Sequence, residues 1–383
     1  MISTAKRFII VLLRRLCLKS ADNGSFLIPA YTGLGNFLLM TPMVRTLRER
    51  YPASRIYILA GNAFGGEHVF RTGDGIVDDV FFLSMSVPVW KKAWFFWKLR
   101  RLYVGTAFLP FDASPAFYWW GTLLAGIPRR VGHSIDALGQ EIGWTRDVLT
   151  HDVPLRLDTH ESDLHFDLLE RLHGPFPRTY ATHIAPVGPE VLGRFGLRER
   201  EYIVIQVSAA NAGITPKRWP EEHFAALIQR LTAEGHRIVL TGDRNEKPVI
   251  EDFLKRHSLQ AMNIAGQTSV DEVSAVLKYA RLLVCNDSGQ MHIANAHGTP
   301  LIALYGPTDD VLTAPKAPGS RMLRAPLPCA PCMKNFAKTE AEALRDCPIN
   351  VQCMRDITAD EGYLACRNVL SLPAQGGCNS LRS

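Results

Sequence analysis

Short apolar runs alternate with longer amphipathic stretches through most of the chain, and this pattern is typical of parallel strands covered by helices. The clearest example starts at the apolar run Leu282–Cys285, which is followed by the polar turn Asn286–Gly289. Gln290–His297 has the spacing of a short helix, and Leu301–Tyr305 is a second apolar run. A unit of this kind places the N–H groups of a helix N-terminus at the carboxyl end of a sheet. The stretch therefore predicts an anion site, suited to a phosphate or diphosphate.

Two separate runs of this alternation predict two domains. The first run contains the predicted strands Ser25–Ala30, Arg55–Ala60, Val77–Leu83 and Gly105–Asp112, with a helix over Phe37–Arg50. The second run contains the strands Tyr202–Val207, Arg237–Leu240 and Met262–Ile264, the helices Glu221–Glu234, Lys247–His257 and Val270–Tyr279, and a closing helix at Ile357–Leu370. The Pro- and Gly-rich segment Pro186–Gly196 separates them. The fold class is therefore α/β, with doubly wound domains over residues 1–190 and 200–355 rather than a barrel.

The composition fits two globular domains in a cytoplasmic chain. The chain has 383 residues, of which 47% are hydrophobic and 21% are charged, and this is too long for one ordinary core. No apolar run approaches the ~18 residues of a membrane-spanning helix, and the N-terminal run Phe8–Leu13 is short for a signal peptide.

The first twenty residues form a distinct basic segment. They contain five Lys or Arg residues and no acid, with apolar residues at helical spacing. Two interpretations stay open: a helix that lies on an anionic membrane surface, or a surface helix packed on its own domain. A nucleic-acid partner is not expected, because the net charge of +6 is modest and the basic residues are scattered.

Three further segments of the N-terminal half carry candidate chemistry. Gly33 and Gly35 lie between a predicted strand and helix, where they would allow a tight turn and close approach of a ligand; the alternative is a turn without a ligand. Arg129 and Arg130 lie on a Gly/Pro-rich loop, where they could bind phosphate or carboxylate groups of a ligand or simply be solvated. Val87–Val104 mixes tryptophans with Lys and Arg, which suits contact with lipid or glycan, or packing with snorkelling cations.

Four motifs together identify a resemblance. They are Gly33–Asn36 with Thr41-Pro42, Ser208–Phe224, Leu240–Glu246 and Asn286–Asp309. In these motifs the chain resembles glycosyltransferase family 9, the lipopolysaccharide heptosyltransferases. The resemblance implies a GT-B fold, with two Rossmann-like domains facing across a cleft and a last segment, residues 356–383, whose helix returns toward the N-terminal domain.

The function that the resemblance implies is inverting, metal-independent transfer of a sugar to a glycolipid acceptor. A nucleotide diphospho-sugar, typically ADP-heptose, would bind the C-terminal domain as co-substrate, and a lipid A–core acceptor would bind the N-terminal domain. No cofactor is expected. The implied location is the cytoplasm, with peripheral contact at the inner face of the inner membrane.

The residues that would bind the nucleotide-sugar follow from the matched motifs and from the charge of the leaving group. A departing diphosphate gains negative charge, which cationic side chains and helix N-terminal amides can stabilise without a metal. Lys217 matches a phosphate-binding lysine of the family and is also a candidate catalytic residue. The expected binding positions are Ser208, Thr215, Lys217, Glu246, Asp287, Ser288, Gly289 and His292.

Asn36 departs from the family pattern. The family has an aspartate there that is expected to deprotonate the acceptor hydroxyl, and asparagine cannot take a proton near neutral pH. One account makes another group the base, with Asp112 preferred and His133 second. A second account has Asn36 orient the acceptor. In a third, the chain binds nucleotide-sugar without catalysis, and a GT-B nucleotide-sugar epimerase is a further alternative.

The cysteines are concentrated near the C-terminus, where six of the eight follow position 328. Four of them, Cys329, Cys332, Cys347 and Cys353, begin with a CxxC pair and are a candidate zinc site, although the spacing of the second pair is loose for a zinc ribbon. Reduced thiols without a metal are the expected state in a cytosolic chain.

Overall fold

The computed structural model describes residues 22–61, 65–72, 74–111, 116–134, 147–156, 158–208, 215–334 and 338–371. The chain divides into two compact units. The first consists of Met1–Pro186 with the short segments Asp309–Ala314 and Asn335–Ala337, and the second consists of Val187–Thr308, Pro315–Lys334 and Lys338–Ser383. The division lies within the Pro- and Gly-rich segment that separates the two runs of strands and helices in the sequence.

The first unit contains a parallel sheet of six strands in the order β3-β2-β1-β4-β5-β6. The strands are β1 (Phe26–Ala30), β2 (Ile56–Ala60), β3 (Asp79–Phe82), β4 (Thr106–Leu109), β5 (Arg129–Ser134) and β6 (His151–Pro154). The helices are α1 (Leu34–Arg50), α2 (Gly66–Val69), α3 (Val89–Leu99), α4 (Ala116–Leu124) and α5 (Glu161–His173). Every residue of β1, β2 and β4 is buried, as expected for central strands with both faces covered.

The second unit repeats this architecture with the strand order β12-β11-β10-β7-β8-β9, again all parallel. Its strands are β7 (Tyr202–Gln206), β8 (Arg237–Leu240), β9 (Met262–Asn263), β10 (Leu282–Asn286), β11 (Leu301–Tyr305) and β12 (Arg321–Arg324). Its helices are α6 (Glu190–Arg194), α7 (Glu221–Ala233), α8 (Lys247–Arg256), α9 (Val270–Lys278), α10 (Gly289–Ala296), α12 (Glu340–Arg345), α13 (Gln352–Arg355) and α14 (Ala359–Leu370); α11 (Asp310–Thr313) belongs to the first unit.

The last helix, α14, contacts the second unit. It packs on α7 and on strands β10, β11 and β12, and its Gly362 lies so close to the Trp219 ring that an added Cβ would be 3.1 Å from that ring. Its start is fixed by a capping box in which Thr358 and Glu361 satisfy each other's backbone N–H groups. Its buried face completes the core of the second unit, and the expectation that the helix returns toward the N-terminal domain stays a prediction.

The start of α1 also differs from the expectation. The helix begins at Leu34 rather than Phe37, so Gly35 and Asn36 lie in its first turn and Gly33 is the N-cap. The φ angle of Gly33 is −75°, which any residue can adopt, so a glycine-specific turn is not what this position uses. In the part of the chain that the structure describes, every helix is too short or too polar to cross a membrane.

Candidate functional site

The carboxyl ends of β7 and β10 meet at the centre of the second sheet, where the strand order changes direction along the chain. Asn286, the last residue of β10, is buried and binds both ends of the connection that follows β7. Its Nδ2 donates to the carbonyl of Ser208 (3.2 Å), and its Oδ1 accepts from the backbone N–H of Trp219 (3.0 Å). This is the topological switch point at which doubly wound sheets bind their ligands.

The N-terminus of α10 lies at this switch point. Ser288 is the N-cap, but its hydroxyl makes no bond to its own helix and donates instead to Oε1 of the buried Gln206 (2.5 Å). The positive end of the helix dipole therefore retains its capacity for an anion. Nearby, the buried Oγ of Ser208 has no hydrogen-bond partner among the described residues. These features place Ser208, Ser288 and Gly289 at the same end of the sheet.

Lys217 supplies the positive charge of the site. Its Nζ lies 3.6 Å from Oδ2 of Asp287 and 3.0 Å from Oε1 of Glu340. Glu340 also accepts a hydrogen bond from the hydroxyl of Thr215 (3.0 Å). Burial opposes the charge on Lys217, but attraction to Asp287 and then to Glu340 outweighs it, so the pKa of Lys217 is raised. Lys217 is thus a protonated ammonium at neutral pH, held by carboxylates.

Glu340 is the residue of this cluster that sequence reasoning missed. It is the first residue of α12, 125 positions from Thr215, and nothing in the local pattern separates it from an ordinary acid in the first turn of a helix. Its carboxylate contacts both Lys217 and Thr215.

Glu246 is the N-cap of α8, in the connection that follows the neighbouring strand β8, and is almost completely buried. Its Oε2 accepts from the backbone N–H of Asp243 (2.7 Å), whereas its Oε1 is buried without a hydrogen-bond partner among the described residues. A buried carboxylate oxygen of this kind is suited to accept from a hydroxyl group of a ligand. His292 is buried on α10, one turn from the helix start, and Trp219 packs in the core with its Nε1 donating to Ile357 O (2.7 Å).

In the first unit, Asn36 pairs with a buried acid. Its Nδ2 donates to both carboxylate oxygens of Glu161, each at 2.9 Å. The Glu161 side chain has no exposed surface, and His165 lies 3.6 Å away, one turn along α5. Because an ionised carboxylate only accepts hydrogen bonds, the amide nitrogen of Asn36 must face Glu161 and Oδ1 must face away. Asn36 itself is partly exposed, whereas the carboxylate behind it is not.

Glu161 also escaped the sequence analysis, because it lies 125 residues from Asn36. An acid at the first position of a helix is common, so only the contact with Asn36 distinguishes it.

The two alternative candidates for the base are Asp112 and His133. Asp112 lies outside the described residues. His133 is buried on β5, and burial, followed by the nearby His165, lowers its pKa to about 3. An imidazole with that pKa is a poor proton acceptor at neutral pH, so His133 is not suited to be the base. The ring of Phe111, which precedes Asp112, lies against His133 and His165, with centroids 6.0 and 6.3 Å apart.

Arg129 and Arg130 have structural roles, which corrects their placement on a loop. Both lie at the start of β5. The guanidinium of Arg129 bonds Thr106 Oγ1 (2.9 Å) and pairs with Asp22 (2.7 Å). Arg130 is buried, and its guanidinium donates to the backbone carbonyls of Ile127 and Val148. These bonds tie β5 to its neighbours. The Arg129 side chain is 41% exposed, and acceptor binding by either arginine stays a prediction.

The four candidate zinc ligands line one cavity of about 320 Å³. Burial, and then the neighbouring thiols, raise the pKa of Cys353 to about 11, and burial also raises the pKa of Cys332. Among the described residues, no group of three or more His, Cys, Asp or Glu side chains is arranged to hold a metal ion.

Comparisons with known proteins agree with this architecture. A family model described as glycosyltransferase family 9 (heptosyltransferase) matches residues 157–342. Lipooligosaccharide heptosyltransferase 2 of Haemophilus influenzae is 38% identical over 114 residues, which are 28% of this chain and 32% of that protein. The chain thus spans about a third of the length of the first curated relatives that it matches. Lipopolysaccharide heptosyltransferase 3 of Escherichia coli K12 is 26% identical over 304 residues, 73% of this chain and 82% of that protein.

A solved structure confirms the fold class. The structure of E. coli ADP-heptose lps heptosyltransferase II is matched over 90% of this chain and 98% of that chain, with 22% identity and a TM-score of 0.65. The two parallel six-stranded sheets are those of the GT-B fold.

Proposed function

We propose that this chain, whose residues 157–342 match the family model of glycosyltransferase family 9, is an inverting glycosyltransferase that transfers heptose from ADP-heptose to a lipopolysaccharide core or a related glycan. The observation that carries the proposal is the cluster of Lys217, Thr215 and Ser288 at the switch point of the second sheet. The names of the relatives, which include heptosyltransferases and an ADP-heptose enzyme, support the choice of sugar and nucleotide.

The proposed site binds the diphosphate without a metal or cofactor. The leaving group gains charge as the bond to the anomeric carbon breaks, and the Lys217 ammonium and the N-terminus of α10 stabilise that charge. The Ser208 hydroxyl and the backbone N–H groups of Ser288 and Gly289 donate to the same phosphates. Glu246, with its unpartnered Oε1, accepts from a ribose hydroxyl, and Asp287 and His292 complete the nucleotide-sugar site.

In this structure Glu340 makes contacts that are proposed to belong to the diphosphate when the nucleotide-sugar is bound. Its carboxylate contacts Lys217 and Thr215, two groups proposed to bind phosphate. A diphosphate carries more charge than one carboxylate and offers more acceptor oxygens, so it competes for the same contacts. Binding of the nucleotide-sugar then requires Glu340 to leave, and α12 to adjust with it.

On the acceptor side, Asn36 positions the hydroxyl that attacks. Glu161 fixes the Asn36 amide so that Oδ1 points outward, where it accepts a hydrogen bond from the acceptor hydroxyl. The acceptor oxygen forms the new bond to the anomeric carbon while the bond to the diphosphate oxygen breaks, and the electron pair leaves with the diphosphate. Asp112 is the proposed acceptor of the proton. Gly33 is exposed at the N-cap of the same helix, and Gly35 lies in its first turn, so both present backbone beside the attacking group.

The proposal is tested by release of ADP from ADP-heptose in the presence of a lipopolysaccharide-core acceptor. Lys217→Ala is expected to lower transfer by about 100-fold or more and to remove the thermal stabilisation that ADP gives the native protein. Lys255→Ala, at an exposed position on α8, is the matched control and should change neither. Full turnover and full stabilisation in the Lys217 variant would contradict the assignment of the site.

The second candidate function is nucleotide-sugar binding without transfer, and it is favoured by Asn36, which cannot act as a base. Stabilisation by ADP-heptose without ADP release with any glycolipid acceptor would support it. Conversion of the sugar without an acceptor would indicate an epimerase instead.

The proposed location is the cytoplasm, with contact to the inner face of the inner membrane. Residues 1–20, the basic segment expected to make that contact, lie outside the described residues.

A further inference from the structure

Helix α3 and the residues next to it in the chain carry most of the exposed large hydrophobic side chains of the first unit. Those that are at least about 45% exposed between residues 82 and 103 are Phe82, Met85, Val89, Trp90, Trp94, Trp97 and Tyr103. The three tryptophans of α3 are 67%, 56% and 59% exposed, whereas Trp119 and Trp219 are buried. Packing against the chain's own domain, one of the two expectations from the sequence, therefore does not cover these rings.

The tryptophans form one stripe along the helix. At about 100° per residue, positions 90, 94 and 97 lie within about 60° of one another. The opposite side of the helix carries Phe96 and Leu99, which are buried in the core of the first unit. The inner side of the helix thus packs in the core of the first unit, and the outer side presents the tryptophans to solvent. We name Trp90, Trp94 and Trp97 together the tryptophan stripe.

The charged residues of the chain segment that contains the stripe are all basic. Residues 80–111 contain five Lys or Arg residues and no Asp or Glu. Lys91 and Lys98 are exposed on the helix beside the stripe, and Lys98 Nζ lies 3.3 Å from the centroid of the Trp94 ring. Arg100 lies 5.0 Å from the Trp97 ring centroid, and Arg101 is exposed one turn beyond the stripe.

Lys92, in the same segment, differs from the exposed lysines in its position. Lys92 is buried on the inner side, where its Nζ donates to Met85 O (2.8 Å) and lies 4.2 Å from the Phe117 ring centroid. The cations that face outward are therefore those that flank the tryptophans, and they are not neutralised by acids of the same segment.

We propose that the tryptophan stripe and its flanking cations are a docking surface for an anionic lipid bilayer. Indole rings favour the headgroup level of a bilayer, where the apolar ring is buried and the N–H stays hydrated. Lysines and arginines beside them are attracted to anionic headgroups. The helix lies in the interface plane with its stripe inserted, and it does not span the membrane.

The charge pattern selects this occupant over a second copy of the chain. In a two-fold symmetric dimer through this surface, the same patch meets itself, so the basic residues of one copy would face those of the other. No acid between residues 80 and 111 offsets that repulsion. The proposal concerns surface binding alone and does not depend on the transfer reaction, because lipid binding is measured without either substrate.

The test is co-flotation of the full-length chain with vesicles of phosphatidylcholine alone or with about one third phosphatidylglycerol. Binding is expected only with the anionic vesicles and should weaken at high salt, where the Debye length falls to a few Å. Trp90→Ala/Trp94→Ala/Trp97→Ala should weaken it by about tenfold or more through lost apolar contact. Lys91→Ala/Lys98→Ala should weaken it at low salt by about fivefold for each lysine.

Leu364→Ala is the matched control, because Leu364 is 59% exposed on α14 in the other unit. It should bind as the unchanged chain does. All variants keep residues 1–20, and their folding is checked by thermal unfolding, which substitutions at exposed positions should leave unchanged. Equal binding to both kinds of vesicle, or full binding by the tryptophan variant, overturns the proposal. So does the absence of vesicle binding together with a dimer that the tryptophan variant abolishes.

Discussion

The pair of Asn36 and Glu161 gives the sharpest test of the acceptor site. In Asn36→Asp, a second carboxylate takes the place of an amide whose nitrogen lies 2.9 Å from both oxygens of Glu161. With the two charge centres about 4 Å apart and an effective dielectric constant of about 20, their repulsion is about 4 kcal/mol, equivalent to about three pKa units. The pair in the variant is therefore expected to hold one shared proton near neutral pH.

This coupling makes the stability of the variant depend on pH in a defined direction. One acid of the pair has a higher pKa in the folded state than in the unfolded state, so the native chain binds more protons between about pH 4 and pH 7. The free energy of unfolding of Asn36→Asp should therefore match that of the unchanged chain near pH 4. It should fall progressively as the pH rises, to a deficit of about 4 kcal/mol above pH 7.

Urea unfolding at pH 5 and pH 8 measures this difference. The double variant Asn36→Asp/Glu161→Gln is the control, because it exchanges the two groups, keeps one negative charge and retains an amide-to-carboxylate hydrogen bond. It should recover most of the stability at pH 8, and it places a carboxylate where the acceptor hydroxyl binds, so its transfer rate should exceed that of Glu161→Gln alone. If Asn36→Asp shows the same pH dependence as the unchanged chain, the two side chains are not adjacent in solution and the reasoning fails.

Three further predictions concern the remaining groups. Glu340→Gln removes a half-exposed competitor for Lys217, so KM for the nucleotide-sugar should fall by roughly two- to fivefold with kcat retained; an unchanged or higher KM would show that Glu340 does not compete. Asp112→Asn should lower transfer by about 100-fold or more while ADP still stabilises the native protein, and unchanged turnover would exclude Asp112 as the base. His133 has a folded pKa near 3 against about 6.5 when unfolded, so the unfolded chain binds more protons between these values and stability falls as the pH drops from 6.5 toward 3. At pH 5 the loss is about 2 kcal/mol; His133→Phe, measured by urea unfolding at pH 5 and pH 7, should remove that difference, and an equal loss in both proteins would refute the assignment.

The sequence alone determined the fold class and the position of the helix N-terminus at which the nucleotide-sugar is proposed to bind. Strand and helix periods are local properties, and the expected bounds differ from the observed ones by one to three residues, as for β7 and α7. The residues that bind at a helix N-terminus are also local to a strand–turn–helix unit, so Ser288 and Gly289 fall where the pattern places them. The motifs around Lys217 also showed the resemblance to glycosyltransferase family 9.

Tertiary structure alone decided which groups act as partners. Glu340 joins Lys217, and Glu161 joins Asn36, across 123 and 125 residues of chain, and neither acid has a local feature that sets it apart. The same limit explains the errors at Arg129 and Arg130, since a loop and the buried start of a strand look alike until the partners of the guanidinium groups are known. It also left open whether the tryptophans of α3 faced the core. A hydrophobic pattern states which residues share a face of a helix, and only the packed neighbours decide whether that face is buried.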